Sequence, residues 1–461
     1  MEVEIMSKKS IKPSCPTPNH LRIYKLSLLD QLMPCAHVPM ILFYRPMLSC
    51  DSSSSNINLI NGRILERLKQ SLSETLTTFY PFAGEIITDG LYIDCNDSGV
   101  EYVETKVNCS LSQLLRKPDT KLIRKLLPSN LRGGRLELES SNNIAGIPVA
   151  MIQVNVLNCG GIAIGTQTSH KIIDGPTSTT FLKAWAISAR GNSGQAPKPS
   201  FIAPQLFPQN SLLPRDTMLA IWPSLLKFGK CVTRRFVFDS SAISTLKAKA
   251  LSSSFVPNPT RVESVSAFIW ICVTVASRKR YGSRRPSVLS HIVNFRGKTA
   301  PSLPEHSIGN LLWIATAECQ AEANLELQAL VALLRKSIMK TSGKFVEQLQ
   351  GEKGYQRVRE CLTELAEVHS NGGADYFAFS SMCKVGIYEA DFGWGKPLWV
   401  SPGGIDGLVY QNLVFLNETR NGDGIEAWVT LDEQDMTILQ YETEILSFAS
   451  LDPSPFEEPQ D

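Results

Sequence analysis

The segment AMIQVNVLNCGGIAIGTQTSHKIIDG, residues 150–175, predicts two strands joined by a tight turn. Two apolar runs flank a Cys-Gly-Gly turn, which is typical of a hairpin. An Asp-Gly-Pro run then ends the second strand. Residues 177–189 continue as a helix, because Ser and Thr at its start and a proline in its first turn mark a helix N-terminus. We therefore expect His170 at a strand end just before a helix, where rigid elements aim a side chain into a crevice.

Size and composition limit the class of protein. A chain of 461 residues fits two domains of about 200 residues each. With 43% hydrophobic residues, 20% charged residues and a net charge of +2, the chain has no field that would favour nucleic acid or an acidic membrane as a partner. Charge therefore points to no macromolecular partner.

The compartment is predicted from hydropathy and cysteine usage. No stretch is apolar enough to cross a bilayer, and residues 1–18 lack the apolar core of a signal peptide. The 11 cysteines, an odd number without paired spacing, fit neither a disulfide framework nor a zinc site. Reduced thiols are the simpler account, so we expect a cytoplasmic protein without a metal site.

The pattern of apolar residues divides the chain into two halves. Residues 62–80 carry apolar side chains at helical spacing before Pro81. Residues 191–216 hold five prolines, each of which stiffens the backbone and blocks a periodic element. We place an N-terminal domain at 1–190, a crossover linker at 191–216, a C-terminal domain at 217–451 and a disordered tail at 452–461. The C-terminal half is predicted to contain helices near 240–251, 261–279 and 321–370, a strand pair at 407–416 and 424–431, and a last helix at 432–449 capped by Asp432.

The His-x-x-x-Asp spacing at His170 and Asp174 is the first candidate for chemistry. Among the 6 histidines, His170 alone has an aspartate four residues later. Small residues along the preceding strand leave room for a ligand, and Gly175 would let the backbone turn sharply after Asp174. A structural histidine in an apolar setting explains the same residues, so the local pattern leaves both interpretations open.

Four further segments favour the catalytic interpretation of His170. Residues 391–395 are Asp-Phe-Gly-Trp-Gly, and the others are VNFRGKTAPSLPEHSIGN (293–310), YPFAGEI (80–86) and IKPSCPTPNHLRIYKLSLLDQL (11–32). Together with His170 and its aspartate, in this order and spacing, they resemble the BAHD acyltransferases of plant specialised metabolism. The resemblance covers nearly the whole chain and is strongest to the vinorine-synthase-like branch of alkaloid acetyltransferases.

The resemblance implies an α/β fold and a reaction. The family has two chloramphenicol-acetyltransferase-like domains with mixed sheets, joined by a long crossover loop, and a solvent channel between them. Acyl-CoA, with acetyl-CoA favoured, enters from one face and a small-molecule alcohol from the other. His170 is then the general base, because an imidazole titrates near working pH and can take the hydroxyl proton. The family also implies a monomer without a bound cofactor.

By the same resemblance, Asp174 points away from the channel and pairs with Arg296. Such a buried bidentate pair would fix the backbone that aims His170. Gly175 belongs to this structural set. Asn294, in the same turn as Arg296, is expected close to the channel, where it would make a polar contact with a substrate.

Asp391 is grouped with His170 as catalytic because its motif is counted among the family's functional residues. Its expected work is nevertheless to hold a loop, with Gly393 and Trp394, that shapes the CoA entrance. Ser381 and Met382 stand where the family often has Ser-Trp, so the channel wall is expected to be reshaped there. This departure bears on the choice of acceptor or acyl donor.

The predicted function is O-acetylation of a bulky alkaloid or terpenoid. Two alternatives stay open: an amide-forming N-acyltransferase on the same fold, and a non-catalytic relative that binds a metabolite or a partner protein. Hydrolase, metalloprotease and P-loop chemistry are disfavoured, because the chain has no GxSxG, HExxH or GxxxxGK[ST] motif.

Overall fold

The computed structural model describes residues 1–34, 36–46, 54–87, 91–128, 146–213, 230–251, 256–299, 303–370, 373–403 and 412–456. Over these ranges the strands form three sheets. Two are large, one in each half of the chain, and helices cover them. This is the mixed α/β architecture that the sequence predicts.

The first large sheet carries the candidate histidine. The predicted hairpin is confirmed as two antiparallel strands, and every residue of the second one is buried. Since His170 follows that strand directly, a buried, fully paired element sets its position. From edge to edge the sheet consists of β1 (Val3–Ile11), β6 (Val100–Val107), β8 (Ala150–Leu157), β9 (Ile162–Ser169), β3 (His37–Tyr44) and β14 (Trp399–Ser401).

The second large sheet belongs to the C-terminal half. Its order is β12 (Leu312–Cys319), β11 (Ser287–Asn294), β13 (Asp375–Ser381), β15 (Leu413–Glu418), β16 (Ile425–Asp432), β10 (Cys231–Phe238) and β17 (Ser450–Leu451). The strand pair predicted near the C-terminus is the antiparallel pair β15–β16; residues 407–411 of that prediction lie outside the described ranges. A small sheet contains β2 (Ile23–Lys25), β5 (Tyr92–Asp94), β4 (Glu85–Ile86) and β7 (Ile147–Pro148).

Helices pack on these sheets. In chain order they are α1 (Leu28–Gln31), α2 (Ser54–Thr78), α3 (Leu111–Arg116), α4 (Thr120–Ile123), α5 (Gly175–Ala189), α6 (Ala203–Leu206), α7 (Ser240–Ala250), α8 (Arg261–Tyr281), α9 (Leu327–Lys340), α10 (Gly343–Gln348), α11 (Gly354–Ser370), α12 (Glu433–Leu439) and α13 (Thr443–Leu446). The helix predicted over 62–80 is α2, which begins earlier, at Ser54, and ends at Thr78. No described helix is both long and apolar enough to span a membrane.

The single last helix predicted over 432–449 is wrong. Asp432 does cap a helix, because its side chain accepts a hydrogen bond from Gln434 N, but α12 ends at Leu439 and α13 follows as a separate turn. The buried side chains explain the break. Leu439 and Ile445 are six positions apart, a spacing that puts them on different faces of one helix. Two short helices let both side chains reach the core.

One strand crosses between the halves. β14 lies between β13 and β15 in the chain, yet it pairs with β3 as the edge of the N-terminal sheet. Its Trp399 stacks on Phe43 at 5.4 Å and on Trp428 of β16 at 5.9 Å between ring centroids. The two large sheets are therefore joined through shared aromatic contacts.

The crossover is described from residue 191 to residue 213, and its last predicted residues, 214–216, lie outside the described ranges. It contains α6 and touches both halves: Phe207 O accepts from Leu28 N at 2.8 Å, and Ser200 bridges to Ser307. The domain limits stay a prediction. Of the predicted disordered tail, Asp452 pairs with Arg234 at 3.1 Å and Phe456 lies under Arg45, whereas residues 457–461 lie outside the described ranges.

Candidate active site

His170 lies directly after the end of β9, where a tight turn begins. Its backbone N–H donates to Ala36 O at 2.7 Å, which ties the turn to the segment before β3. The residues of the strand before it are buried, and His170 as a whole residue is of intermediate burial. The end of a buried strand therefore fixes where the imidazole lies.

Asn310, from the C-terminal half, determines which ring nitrogen of His170 carries the proton. His170 Nδ1 and Asn310 Oδ1 are 3.2 Å apart. The amide can be oriented from its other contacts, because Asn310 Nδ2 donates to His170 O at 2.7 Å and to the Asp30 carboxylate at 2.9 Å. Both partners are obligatory acceptors, so the NH2 group must face them and Oδ1 must face Nδ1. Nδ1 then carries the ring proton, and Nε2 keeps a free lone pair.

The protein environment favours the neutral ring. Burial lowers the pKa of His170 from its ordinary value of 6.5. The hydrogen bond to its own backbone, the negative charge of Asp174 and the hydrogen bond with Asn310 oppose this only in part. No described residue hydrogen-bonds Nε2. A neutral imidazole with a fixed tautomer and an open Nε2 can accept a proton from a hydroxyl placed beside it.

Asp174 and Arg296 are brought together, as the resemblance implied. Arg296 Nη1 donates to Asp174 Oδ2 at 2.6 Å and Arg296 Nη2 to Oδ1 at 3.1 Å. The same carboxylate caps α5 by accepting from Thr177 N at 2.9 Å, and it also accepts from Leu311 N at 3.2 Å. Its side chain is 3% exposed. Asp174 therefore binds the two halves together and is not aimed at the ring of His170.

Arg296 also holds the segment that carries Asn310. Its Nη2 donates to Ser307 O at 2.7 Å and to Gly309 O at 3.1 Å. Asn294 accepts from the backbone and side chain of Arg296 at 3.0 and 3.2 Å. The exposed side chain of Asn294 thus steadies the arginine turn. A contact between Asn294 and a substrate stays a prediction.

Asp391 belongs to a different cluster. Its Oδ1 accepts from Gly393 N at 2.8 Å and Gly395 N at 2.9 Å, which closes the loop on itself. Both glycines have positive φ, a conformation that side chains rarely adopt. No described contact joins Asp391 to His170. The geometry fits a loop-holding carboxylate, and a catalytic role for Asp391 stays a prediction.

Aromatic rings anchor the same loop to the N-terminal half. The buried ring of Phe392 contacts Tyr44 and Trp185 edge-on at centroid distances of 5.9 and 4.9 Å, and Trp394 stacks on it at 5.6 Å. Tyr44 Oη donates to Ala390 O at 2.8 Å. The motif is therefore a docking point for the C-terminal half.

Met382 lies against the start of α5. A Cβ on Gly175 would collide with Met382 Sδ. The expectation that Gly175 supplies a sharp turn is wrong, because Gly175 is the first residue of α5 and its φ is not positive. The glycine leaves room for the side chain of Met382. Ser381, next to Met382, is half-buried and accepts from Cys383 N at 3.2 Å.

Sequence reasoning missed Asn310. The residue lies at the end of the 293–310 segment, but nothing in its neighbours marks it as a partner for an imidazole 140 positions away. Its role depends on the docking of the two halves, which no local pattern encodes.

The sequence is similar to known proteins along nearly its whole length. The sequence profile of the Transferase family matches residues 1–446. A limonoid 7-O-acetyltransferase of Citrus sinensis is 44% identical over 465 residues, which span 99% of this chain and 100% of the relative. Vinorine synthase of Rauvolfia serpentina is 37% identical over 454 residues, 98% of this chain and 99% of the relative.

Solved structures share the fold. The crystal structure of vinorine synthase matches with a TM-score of 0.78 and 33% identity, over 97% of this chain and 99% of that one. The complex of F. sporotrichioides TRI101 with coenzyme A and T-2 matches with a TM-score of 0.69 and 18% identity, over 93% and 99%. The α/β fold with two sheet-rich domains is thus common to all three proteins.

Proposed function

The chain belongs to the Transferase family, the BAHD acyltransferases, and on that premise we propose that it transfers an acetyl group from acetyl-CoA to a hydroxyl of a bulky alkaloid or terpenoid. The observation that carries this proposal is the hydrogen bonding of His170: Nδ1 contacts Asn310 Oδ1 at 3.2 Å, and no residue in the described ranges hydrogen-bonds Nε2. The name of the limonoid 7-O-acetyltransferase, at 44% identity, supports O-acetyl transfer to a polycyclic acceptor.

The reaction needs a base because a neutral hydroxyl is a poor nucleophile toward a thioester. In the proposed step the acceptor oxygen bonds to the thioester carbon while His170 Nε2 takes the hydroxyl proton. The tetrahedral oxyanion then collapses, the carbon–sulfur bond breaks, and the CoA thiolate leaves and regains a proton from the imidazolium. Proton transfer by such a base contributes roughly 10²–10⁴-fold to the rate.

Both substrates must be present together. The attack is direct, so no acyl-enzyme forms, and holding acetyl-CoA and the alcohol in line supplies a further part of the rate. Acetyl-CoA is consumed as a co-substrate. Asp174 and Arg296 do not touch the reacting atoms in this scheme. They fix the turn and the Asn310 segment around the base.

Location and assembly are part of the same proposal. We place the enzyme in the cytosol as a monomer. Eight described cysteines are free thiols and support a reducing compartment: Cys15, Cys95, Cys109, Cys159, Cys272, Cys319, Cys361 and Cys383. Size-exclusion chromatography with light scattering tests the monomer directly.

The test is turnover with purified protein. Acetyl-CoA is incubated with a panel of limonoid, terpenoid and alkaloid alcohols and with matching amines, and both released CoA and the mass of the product are measured. We expect ester formation with at least one alcohol and its loss in His170→Gln. Amide products alone would replace O-acylation by N-acylation, binding without turnover would indicate a non-catalytic relative, and full activity of His170→Gln would reject the base.

A further inference from the structure

The one-turn helix α1 contains a buried aspartate whose hydrogen bonds extend beyond the cap of its own helix. Asp30 is 0% exposed and is the N3 residue of α1. Its Oδ2 accepts from Ser27 N at 3.0 Å and from Ser27 Oγ at 2.7 Å, while Ser27 Oγ accepts from Asp30 N. This reciprocal capping box occupies one carboxylate oxygen. The other carboxylate oxygen takes no part in capping the helix.

The second oxygen, Oδ1, faces the C-terminal half. It accepts from Asn310 N at 2.7 Å and from Asn310 Nδ2 at 2.9 Å, 280 positions along the chain. The backbone beside it comes close, because a Cβ on Gly309 would lie 3.3 Å from both carboxylate oxygens. Gly309 also has a φ of 119°, which favours glycine. The loop is thus shaped to bring Asn310 onto Asp30.

We propose that Asp30 is a positioning residue for acyl transfer, acting through Asn310 to hold His170 in the tautomer with Nε2 free. The inference rests on the proposed function. A side-chain amide can flip, and a flipped Asn310 would turn its NH2 group toward His170 Nδ1, which would then have to become the acceptor. The ring proton would move to Nε2, and the base would be lost.

The carboxylate prevents that flip. Turning Asn310 over would place its Oδ1 against the oxygens of Asp30, two acceptors without a proton between them. A hydrogen bond to a carboxylate is also stronger than one to a neutral acceptor. The pKa of Asp30 is raised, because burial outweighs the hydrogen bonds from Asn310 and Ser27 that lower it. The geometry carries the argument, because Oδ1 already accepts from two N–H groups of Asn310.

α1 steadies the other side of the histidine as well. Lys171 Nζ donates to Gln31 O at 3.1 Å, so the residue that follows His170 is tied to the same helix. Gln31 in turn exchanges two hydrogen bonds with Asn210 of the crossover, at 2.8 and 3.1 Å. The short helix therefore joins the histidine turn, the crossover and the Asn310 segment.

The test compares Asp30→Ala and Asp30→Val with Glu263→Ala. Glu263 is the matched control, because it is also a buried N3 acid in a capping box, on α8, with Thr260 and Arg335 as its partners. The first readout is the ¹⁵N NMR signal of the His170 ring, assigned with His170→Gln, which shows which nitrogen is protonated and needs no substrate. The second is the steady-state rate with acetyl-CoA and an accepted alcohol.

We expect wild type and Glu263→Ala to show one tautomer, protonated at Nδ1, and the Asp30 variants to show a mixture. Their kcat should fall about 10–100-fold, as a displaced catalytic group does, with little change in KM for acetyl-CoA. An unchanged His170 spectrum, or a kcat equal to that of Glu263→Ala, would overturn the proposal. So would failure of both Asp30 variants to fold when Glu263→Ala folds, because Asp30 would then be purely structural.

The proposed general base and the proposed positioning role of Asp30 can be disproved independently of each other. If His170→Gln kept full activity, the general base would be wrong, yet a tautomer shift in Asp30→Ala would still establish the contact chain. If His170 proved essential and the tautomer did not respond to Asp30, the function would stand and the positioning role would not.

Discussion

Asp174 and Arg296, 122 positions apart in the chain, form a bidentate ion pair between the two halves, at 2.6 and 3.1 Å. The carboxylate caps the start of α5 four residues after His170, and the guanidinium holds the carbonyls of Ser307 and Gly309. One pair therefore fixes both sides of the candidate base, His170 on one element and Asn310 on the other.

Arg296→Ala should lower the free energy of unfolding by about 3–5 kcal/mol, because it leaves the charge of Asp174 buried without its partner. The rate should fall as well, since the Asn310 segment loses its support. Urea-induced unfolding and the CoA-release rate measure the two effects. The control is Lys396→Ala, which breaks a 2.8 Å pair with Glu389 whose side chains are 53% and 54% exposed. It should change stability by about 1 kcal/mol or less, and equal effects of the two variants would contradict the prediction.

Gly175→Ala should destabilise the protein by about 1–3 kcal/mol, although alanine is ordinarily the better helix former, because the new methyl group would collide with Met382 Sδ. Met382 is 6% exposed and cannot simply move into solvent. The double variant Gly175→Ala/Met382→Ala should lose less stability than the sum of the two single variants. Strict additivity in this double-mutant cycle would show that the two residues do not compete for space.

The matched control for this cycle is Gly62→Ala. Gly62 lies within α2, and a Cβ there would meet nothing within 4 Å. Its replacement should stabilise the protein by about 0.4–1 kcal/mol. The opposite signs expected at Gly175 and Gly62 separate close packing from helix propensity.

Local pattern was enough to predict the elements that present His170. The two apolar runs of β8 and β9, the Cys-Gly-Gly turn and the capped start of α5 are all encoded within about two dozen consecutive residues. The contact of Asp174 with Arg296 came from the resemblance to a family, because no spacing rule links residues 122 positions apart.

Contacts formed by docking escaped prediction. Asp30, Asn310 and His170 come from three segments, and each is unremarkable among its neighbours in sequence. The contact between Gly175 and Met382 is also formed by docking, because Met382 belongs to the other half. The neighbours of Gly175 in sequence therefore could not reveal it. The C-terminal helices were merged because a helical composition continues across residues 440–442 while the phase of the buried positions changes there.

The pH dependence of kcat/KM should report the burial of His170. Because burial lowers the pKa of His170 below its ordinary value of 6.5, the ring stays neutral through pH 7 and down past that value. The rate should therefore be flat near neutrality and fall only at more acidic pH, as protonation removes the acceptor lone pair. Initial rates in buffers of constant ionic strength measure the profile. An acid limb centred above about 6.5 would mean that the base is solvated, and the residual rate of His170→Gln should lack this limb.

The last prediction concerns Arg235 and Glu426, a buried pair at 3.1 Å whose side chains are 3% and 6% exposed. The guanidinium lies over the rings of Trp399 and Trp428 at 5.1 and 5.9 Å, and Trp399 Nε1 donates to Glu426 at 3.1 Å. Glu426→Leu should thus lower the free energy of unfolding by about 3–5 kcal/mol, because it leaves the guanidinium of Arg235 buried without its carboxylate partner. This charge lies next to Trp399 of β14, the strand that joins the two sheets.

Replacing both partners should be far milder than removing one. In Arg235→Met/Glu426→Leu no buried charge is left unpaired, and apolar side chains of similar size can pack against the two indole rings. Most of the stability lost in Glu426→Leu should then return, as followed by tryptophan fluorescence during urea unfolding. If the double variant were as unstable as the single one, the geometry of the ion pair itself, and not the stranded charge, would be what holds β14 in the N-terminal sheet.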